Sequence, residues 1–259
     1  MNEPPPYQVL CTFGVEDRPQ RLRCGTGNSW RAGKSVFKPC HSAVEWRWLA
    51  VHLPRVVTGG FRLPLPLMSA DGRWVVDGWC AQQWVEGRHR EAEQWPDLLA
   101  VDAHLHNALS ALPEPKHSAL REERWSRADR MAWGERILPD SPQLQVLLDL
   151  RRPLDLPAQL IHGDLTGNVL FTAQKPPAVI DVSPYWRPMN YATAILVADL
   201  VCWHGVDPDM VIKRVGQVAH FPQLLVRALL FRMVTDLLAG STCLKGHAPG
   251  LALAARLHA

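Results

Sequence analysis

The sequence lacks the cysteine patterns that disulfide scaffolds and metal-binding domains need. Its six cysteines, at positions 11, 24, 40, 80, 202 and 243, form no C-x-x-C motif and have no metal-type spacing with histidine. Isolated cysteines are typical of reduced compartments, where thiols stay free. The N-terminus "MNEPPPYQVL" shows no signal-peptide pattern. We therefore expect a cytoplasmic protein with buried free thiols.

Long uncharged hydrophobic runs and a strong excess of either charge are also absent. The chain carries 28 Lys and Arg against 25 Asp and Glu, a net charge of +3, which gives no basis for nucleic-acid or membrane-surface binding. The two most apolar segments, 191–203 and 224–240, contain one and three charged residues respectively. Neither could span a bilayer, so we expect both to be core helices. The sequence carries no signal for an oligomeric state.

What is present falls into two parts of different character. Residues 1–86 are rich in glycine, proline and β-forming residues, whereas residues 87–259 show mainly helical periodicity. The predicted elements are strands at 35–38, 73–79 and 80–86, a helix at 41–53 with Ser42 as its N-cap, and two short strands around the polar loop of 158–183. We expect a nucleotide-binding N-terminal lobe over 1–86 and a catalytic and substrate-binding lobe over 87–259.

The segment "CGTGNSWRAGKSVFK" contains fragments of two different phosphate-binding motifs. A Walker A loop has four residues between its glycines, but five separate Gly27 from Gly33, and Lys34 leads into a predicted strand where a helix is required. The sequence therefore favours strand, glycine turn, strand. Gly25 and Gly27 would let backbone N–H groups approach phosphates without a Cβ in the way.

The strongest chemical signal is "LIHGDLTGNVLF", followed by "AVIDVS". His162, Asp164 and Asn168 lie on a loop between two apolar strands, and Asp181 ends the next strand. Phosphoryl transfer needs a carboxylate that orients the acceptor hydroxyl and takes its proton, and we expect Asp164 to do so. It also needs Mg²⁺ on hard oxygen ligands, for which Asn168 and Asp181 are suited.

These elements resemble the H-G-D-x-x-x-x-N and I-D motifs of the aminoglycoside phosphotransferase and choline kinase-like family. The surrounding sequence looks most like a bacterial branch distinct from the antibiotic-resistance enzymes. The resemblance implies an α+β, bilobal protein-kinase-like fold, with a small antiparallel sheet in the N-lobe and a larger helical C-lobe that carries a catalytic β-hairpin. It also implies ATP (or GTP) and Mg²⁺ as cofactors.

The resemblance further assigns roles in chain order. Lys38 would bind phosphate, and Glu45 of the following helix would form a salt bridge with it. The backbone at Gln83 to Val85 would hydrogen-bond adenine. His162 would order the catalytic loop, and Asp199 would brace it from a helix in which a carboxylate needs a partner.

Two departures from the family pattern bear on activity. The loop from Asp164 to Asn168 is one residue shorter than usual, and Asp181 is followed by "VSPYWRP", without the usual acidic or glycine continuation. The leading hypothesis is an ATP- and Mg²⁺-dependent phosphotransferase acting on a small-molecule hydroxyl. A catalytically impaired nucleotide-binding pseudokinase with a regulatory or scaffold role is the alternative, and transfer to a protein hydroxyl is a third.

The charge of the C-terminal part bears on the acceptor. After residue 182 there are four acidic and seven basic residues, whereas polycationic aminoglycosides need an acid-lined pocket. We expect a small hydroxylated substrate that is not polycationic. Tyr185, Trp186, Arg187 and Trp203 suggest a neutral or anionic molecule with apolar or sugar-ring character.

Overall fold

The computed structural model of the chain describes residues 3–22 and 27–259. Its main sheet is antiparallel throughout and has the strand order β1-β2-β3-β5-β4. The strands are β1 Gln20–Arg21, β2 Trp30–Ala32, β3 Ser35–Pro39, β4 Pro66–Leu67 and β5 Trp79–Gln83. Helix α1, Tyr7–Thr12, packs on this sheet, and Phe13, just after it, meets Phe37 of β3 edge-to-face at 5.5 Å between ring centroids.

Helix α2, Ala43–His52, follows β3 as the sequence predicts. The Ser42 hydroxyl accepts a hydrogen bond from the Glu45 backbone N–H at 3.2 Å, which confirms the N-cap. The predicted strand at 73–79 is wrong for most of its length. Asp77 and Gly78 both have positive φ, and a two-residue turn there joins Val76 to Trp79 by two backbone hydrogen bonds, so β5 begins only at Trp79.

The rest of the chain is mainly helical. Its helices are α3 Trp95–Leu109, α4 Arg124–Ala132, α5 Gln145–Leu150, α6 Met189–Trp203, α7 Pro208–Val215, α8 Phe221–Leu238 and α9 Ala248–Arg256. Four short strands interrupt them, namely β6 Gln159–His162, β7 Val169–Leu170, β8 Ala178–Val179 and β9 Pro184–Arg187. These form two antiparallel pairs, β6 with β9 and β7 with β8.

Helices α6 and α8 form the centre of the larger core. Every residue from Leu224 to Thr235 of α8 is buried, and so is every residue from Ala194 to Val201 of α6. A helix that is apolar on all sides is stable only when surrounded, and each buried leucine contributes roughly 1.5–3 kcal/mol. The two apolar segments are therefore core helices, as predicted, and no helix of the described residues is long and apolar enough to cross a membrane.

Backbone contacts join the main sheet and the segment 84–94 between β5 and α3, here called the connector, to the β7–β8 hairpin. Arg62, ahead of β4, exchanges hydrogen bonds with Pro177 and Val179, and Arg88 pairs in both directions with Phe171. Gly87 lies so close to β7 that an added Cβ would approach the Leu170 Cβ to 2.6 Å. These contacts hold the connector against the hairpin that directly follows Asn168 and precedes Asp181.

The cysteines of the described residues are free, as expected for a reduced protein. Their expected burial is only partly correct, because Cys80 is buried but Cys11 and Cys243 are exposed.

Candidate functional site

The loop between β6 and β7 holds the "HGDLTGN" residues in a compact turn. Gly163 is required at its start, because a Cβ there would lie 2.5 Å from the Tyr185 ring of β9. Gly167 near its end has a φ of +75°, which side-chain-bearing residues adopt at a cost. The two glycines therefore serve different purposes, close packing at the first and backbone conformation at the second.

His162 is buried and organises the loop through its imidazole ring. Its Nδ1 accepts hydrogen bonds from the backbone N–H groups of Asp164 at 3.3 Å and Ser183 at 3.2 Å. The backbone N–H of His162 donates to His106 Nε2 at 3.0 Å. Burial lowers the pKa of His162 to about 4, so the ring is neutral at physiological pH. These contacts support the predicted ordering role.

Asp164 and Asn168 lie together in this loop. The Asn168 side-chain amide donates to the Asp164 backbone carbonyl at 2.7 Å and approaches Asp164 Oδ2 at 3.4 Å. Because that amide is directed at the loop, the Asn168 side-chain oxygen is the atom left for a cation. The Asp164 side chain is 49% exposed, so its carboxylate is accessible to an acceptor molecule.

Asp199 of α6 braces the loop, as the sequence predicts. Its Oδ2 accepts a hydrogen bond from the Thr166 hydroxyl at 2.6 Å. The carboxylate itself is only 1% exposed, and Arg232 of α8 pairs with it through two nitrogens, at 2.8 Å and 2.6 Å. A buried carboxylate with these partners can hold the loop without leaving an uncompensated charge.

Arg232 is a site residue for which the sequence predicts only a place in a core helix. Its Nη2 also donates to Asp164 Oδ1 at 2.9 Å. Burial opposes its charge, but the carboxylates of Asp199 and Asp164 outweigh burial and raise the pKa of the guanidinium. The sequence does contain a signal for this role, because an arginine within an otherwise apolar helix needs an anionic partner elsewhere in the fold.

Glu91 is a second residue that sequence patterns do not reveal. It is 7% exposed, and its Oε1 accepts a hydrogen bond from the Gly167 backbone N–H at 3.1 Å. His89 Nδ1 lies 3.3 Å from the same oxygen. The loop is thus held from the connector side as well as from α6.

Lys38 at the end of β3 and Asp181 form an ion pair. Asp181 has a φ of +51°, and the N–H of its neighbour Ile180 donates to the Asn168 carbonyl at 2.8 Å. This bond keeps the segment of Asp181 beside the catalytic loop. The fold therefore brings together Lys38, Asp164, Asn168 and Asp181, which the sequence spreads over most of its length.

The expected salt bridge between Lys38 and Glu45 is wrong. Glu45 Oε2 lies 3.3 Å from Arg121 Nη1 and 3.8 Å from His117 Nε2. Helix α2 directs Glu45 towards the 3-10 turn Lys116–Leu120, while Lys38 pairs with Asp181. Burial raises the pKa of Glu45, and Arg121 opposes that rise.

Of the two glycines expected at the phosphates, the structure describes only Gly27. Gly25 lies outside the described residues. Gly27 has a φ of +69°, and its carbonyl accepts a hydrogen bond from Arg21 Nε at 2.8 Å. The segment after it forms β2, a turn at Gly33 and β3, and Lys34 lies in that turn. A Walker A loop is therefore excluded, since a strand and not a helix follows.

Gln83 is the last residue of β5, and Val85 lies in the connector that follows it. The Gln83 N–H donates to the Leu65 carbonyl at 2.9 Å, so it is engaged within the sheet. The next N–H, of Trp84, donates to the Lys34 carbonyl at 2.8 Å. The N–H groups of Gln83 and Trp84 are therefore both already bonded within the protein. Of the two predicted residues, Val85 is the better placed to offer a backbone N–H to a base.

Two cavities lie away from the Lys38–Asp181 pair. One, of 520 Å³, is formed by the connector residues 86–88 with Arg90, Gln94 and 171–174. The other, of 280 Å³, is lined by α4 and β9 and borders Tyr185, which packs on Gly163. Neither lining includes Asp164.

The second cavity revises the expected role of Arg187. Its guanidinium bonds Asp129 at 2.6 Å and Glu135 through both terminal nitrogens, so its charge is compensated. Arg187 thus gives no support to an anionic acceptor. Asp129 itself is buried, and burial raises its pKa, against the influence of Arg187.

The donor set suits Mg²⁺ held largely by phosphates. Magnesium typically takes one or two carboxylates and completes its shell with water and substrate oxygens. Asp181 offers a carboxylate that is 44% exposed, and Asn168 offers its amide oxygen. Among the described residues no group of three or more His, Cys, Asp and Glu could hold a metal ion.

Comparisons with known proteins identify the family and the fold. The model of the phosphotransferase enzyme family matches residues 40–182, more than half of the chain. A search of curated protein sequences finds no match.

Among solved structures, the spectinomycin phosphotransferase APH(9)-Ia with ADP and spectinomycin is similar over 97% of this chain and 93% of its own, with 14% identity and a TM-score of 0.58. The amicoumacin kinase hAmiN in complex with AMP-PNP, Ca²⁺ and Ami is similar over 93% of this chain and 87% of its own, with 14% identity and a TM-score of 0.60. A putative fructosamine-3-kinase from Thermobifida fusca is similar over 96% and 97%, with 17% identity and a TM-score of 0.50. These likenesses confirm the protein-kinase-like α+β fold.

Proposed function

Since the chain belongs to the phosphotransferase enzyme family and is a phosphotransferase acting on small molecules, we propose that it transfers the γ-phosphoryl group of ATP (or GTP) to a hydroxyl group of its substrate. The observation that carries this proposal is the convergence of Lys38 and Asp181 with the loop of Asp164 and Asn168. A cation, a half-exposed carboxylate and two oxygen ligands are what phosphoryl transfer requires of a protein.

In this proposal each group has one task. Asp164 orients the acceptor hydroxyl in line with the phosphorus atom and takes its proton as the bond forms. Lys38 binds nucleotide phosphate oxygens, and the Val85 N–H, with the Gln83 carbonyl, binds the base. Asn168 and Asp181 would hold Mg²⁺, which when bound neutralises charge on the phosphate oxygens. His162 keeps the loop in place, because its Nδ1 accepts hydrogen bonds from the backbone N–H groups of Asp164 in the loop and of Ser183 just before β9.

We also propose that the acceptor is not polycationic. The 280 Å³ cavity beside Tyr185 is lined by Arg121, Arg130 and Arg187 and by the acidic residues Glu114, Asp129 and Glu135. These charges are balanced in number, and two of the acidic side chains already bond Arg187. A polyamine would therefore find few uncompensated carboxylates there.

The test is a panel of metabolites and antibiotics incubated with MgATP, with phosphorus NMR of any product. We expect a new phosphomonoester signal with a hydroxylated, uncharged or singly charged acceptor. Asp164→Asn should abolish the signal while a thermal-shift assay still detects MgATP binding. Efficient phosphorylation of an aminoglycoside would contradict the proposed acceptor class but not the reaction.

A nucleotide-binding pseudokinase is the second candidate. The observations that favour it are the short Asp164–Asn168 loop and the engagement of Asp164 by Arg232. This candidate requires that the protein binds MgATP and that no acceptor, water included, receives phosphate from it. Phosphate release that disappears in Asp164→Asn would eliminate this candidate.

A further inference from the structure

Arg232 connects the core of the helical part to the candidate catalytic carboxylate. It lies in α8, far along the chain from the loop, and its side chain is 8% exposed. One of its nitrogens, Nη2, donates to Asp199 Oδ2 at 2.6 Å and to Asp164 Oδ1 at 2.9 Å. A single guanidinium thus joins a buried carboxylate to a half-exposed one.

The buried half of this arrangement fixes the guanidinium. Nε and Nη2 engage both oxygens of Asp199, which is the two-pronged geometry that sets the plane of an arginine side chain. Asp199 is in turn bonded by the Thr166 hydroxyl at 2.6 Å. Arg232 therefore has little freedom to turn, and its contact with Asp164 is made from a rigid base.

The bond from Arg232 to Asp164 restricts the rotamer of the Asp164 side chain. A half-exposed aspartate otherwise exchanges rotamers freely, and fixing it costs conformational entropy. The bond to Arg232 holds Oδ1 and leaves Oδ2, which the Asn168 amide approaches at 3.4 Å, as the oxygen facing an acceptor. The contact thus selects which of the two oxygens is presented.

We propose that Arg232 is the positioning residue of this phosphotransferase, holding Asp164 through Oδ1 so that Oδ2 meets the acceptor hydroxyl. This inference rests on the proposed function, because positioning matters only if Asp164 is the reacting carboxylate. Arg232 itself touches no substrate. A misplacement of a reacting group by about 1 Å can cost on the order of 100-fold in rate, which sets the size of the expected effect.

The first measurement is kinetic and uses water as the acceptor, as phosphate release from MgATP. Arg232→Met should lower kcat by about 100-fold and leave KM for ATP within about twofold, because the residue acts on the acceptor side. Arg232→Lys keeps the charge and one donor and should recover kcat to within about tenfold of wild type. The matched control is Arg227→Met, a buried arginine of the same helix that bonds the Arg152 and Gln223 carbonyls.

The second measurement needs no activity. Hydrogen exchange of the loop amides, residues 163–168, should be about tenfold faster without Arg232. A hydrogen bond to a charged group stabilises the closed loop enough to slow exchange by about that factor. Arg232→Met leaves Asp199 buried and unpaired and could unfold the protein. The comparison is therefore also made between Asp199→Asn and Asp199→Asn with Arg232→Met, which differ only at position 232.

Faster loop exchange together with a loss confined to kcat supports the inference. Unchanged loop exchange overturns it, as does an equal loss of kcat in Arg227→Met or a loss confined to KM. If neither water nor any acceptor of the panel receives phosphate from MgATP, the proposed function fails, and the loop exchange then decides on its own whether Arg232 holds Asp164 in place.

Discussion

Lys38 and Asp181 form an ion pair that links the main sheet to the segment beside the catalytic loop. Both residues are proposed to face nucleotide phosphates, one as a cation and the other through a metal ion. The same two side chains that would hold the nucleotide therefore hold each other in this structure. Binding of the nucleotide has to separate or bridge them.

The pairing of Lys38 can be tested by double-mutant cycles on the free energy of unfolding. Lys38→Met and Asp181→Asn should show a coupling of about 1 kcal/mol, because the pair is only partly shielded from water. The matched cycle of Lys38→Met with Glu45→Gln should show a coupling near zero. A larger coupling of Lys38 with Glu45 than with Asp181 would contradict the structure.

The contribution of Glu45 to stability is expected to depend on Arg121. In urea denaturation, Glu45→Gln should lower the free energy of unfolding by about 1 kcal/mol less in the Arg121→Met background than in the wild type, because the cationic partner of Glu45 at 3.3 Å is then already missing. Glu123, which lies 2.7 Å from Arg121 Nε and is more exposed, supplies the control pair and should couple less. Equal costs of Glu45→Gln in both backgrounds would rule out the pairing.

Gly163→Ala should destabilise the protein by about 1–3 kcal/mol, because its methyl group would collide with the Tyr185 ring. Adding Tyr185→Leu should recover part of that loss. In Gly167→Ala the cost is backbone strain of about 1–2 kcal/mol at positive φ, so the same second change should recover none of it. Thermal unfolding of the four variants gives the comparison, and equal recovery in both backgrounds would refute the packing explanation.

His162 should make the protein less stable in acid. Burial lowers its pKa to about 4, whereas an unfolded histidine titrates near 6.5, so between these values the unfolded chain binds the extra proton. The contribution of the neutral ring is complete above about pH 6.5 and is lost as the pH falls towards 4.

His162→Asn tests this dependence, because an asparagine oxygen can accept the same backbone hydrogen bonds and does not titrate. The drop in unfolding free energy between pH 7 and 4.5 should be smaller in this variant, by about 2 kcal/mol. Urea denaturation at the two pH values gives the comparison. The same drop in variant and wild type would show that His162 is not held neutral by burial.

Local patterns predicted the two core helices, the start of α2 and the catalytic motif. The two most apolar segments correspond to α6 and α8, Ser42 is the N-cap of α2, and the order of "HGD", asparagine and "ID" indicated a phosphotransferase loop. Each of these signals lies within a few turns or one loop, where residue type and spacing determine the conformation directly. The strand predicted at 73–79 failed because Asp77 and Gly78 turn the chain within an apolar run.

Ion-pair partners were decided by tertiary structure. Glu45 lies close to Lys38 in sequence yet pairs with Arg121, and Lys38 pairs with Asp181. The sequence by itself determined that Asp199 and Arg232, each in an apolar helix, needed partners. Only the packing of α6 against α8 decided that they would be each other's partners, and that Asp164 would share the same guanidinium. A charged side chain pairs with what the fold places within a few ångströms of it, and spacing along the chain does not specify that distance.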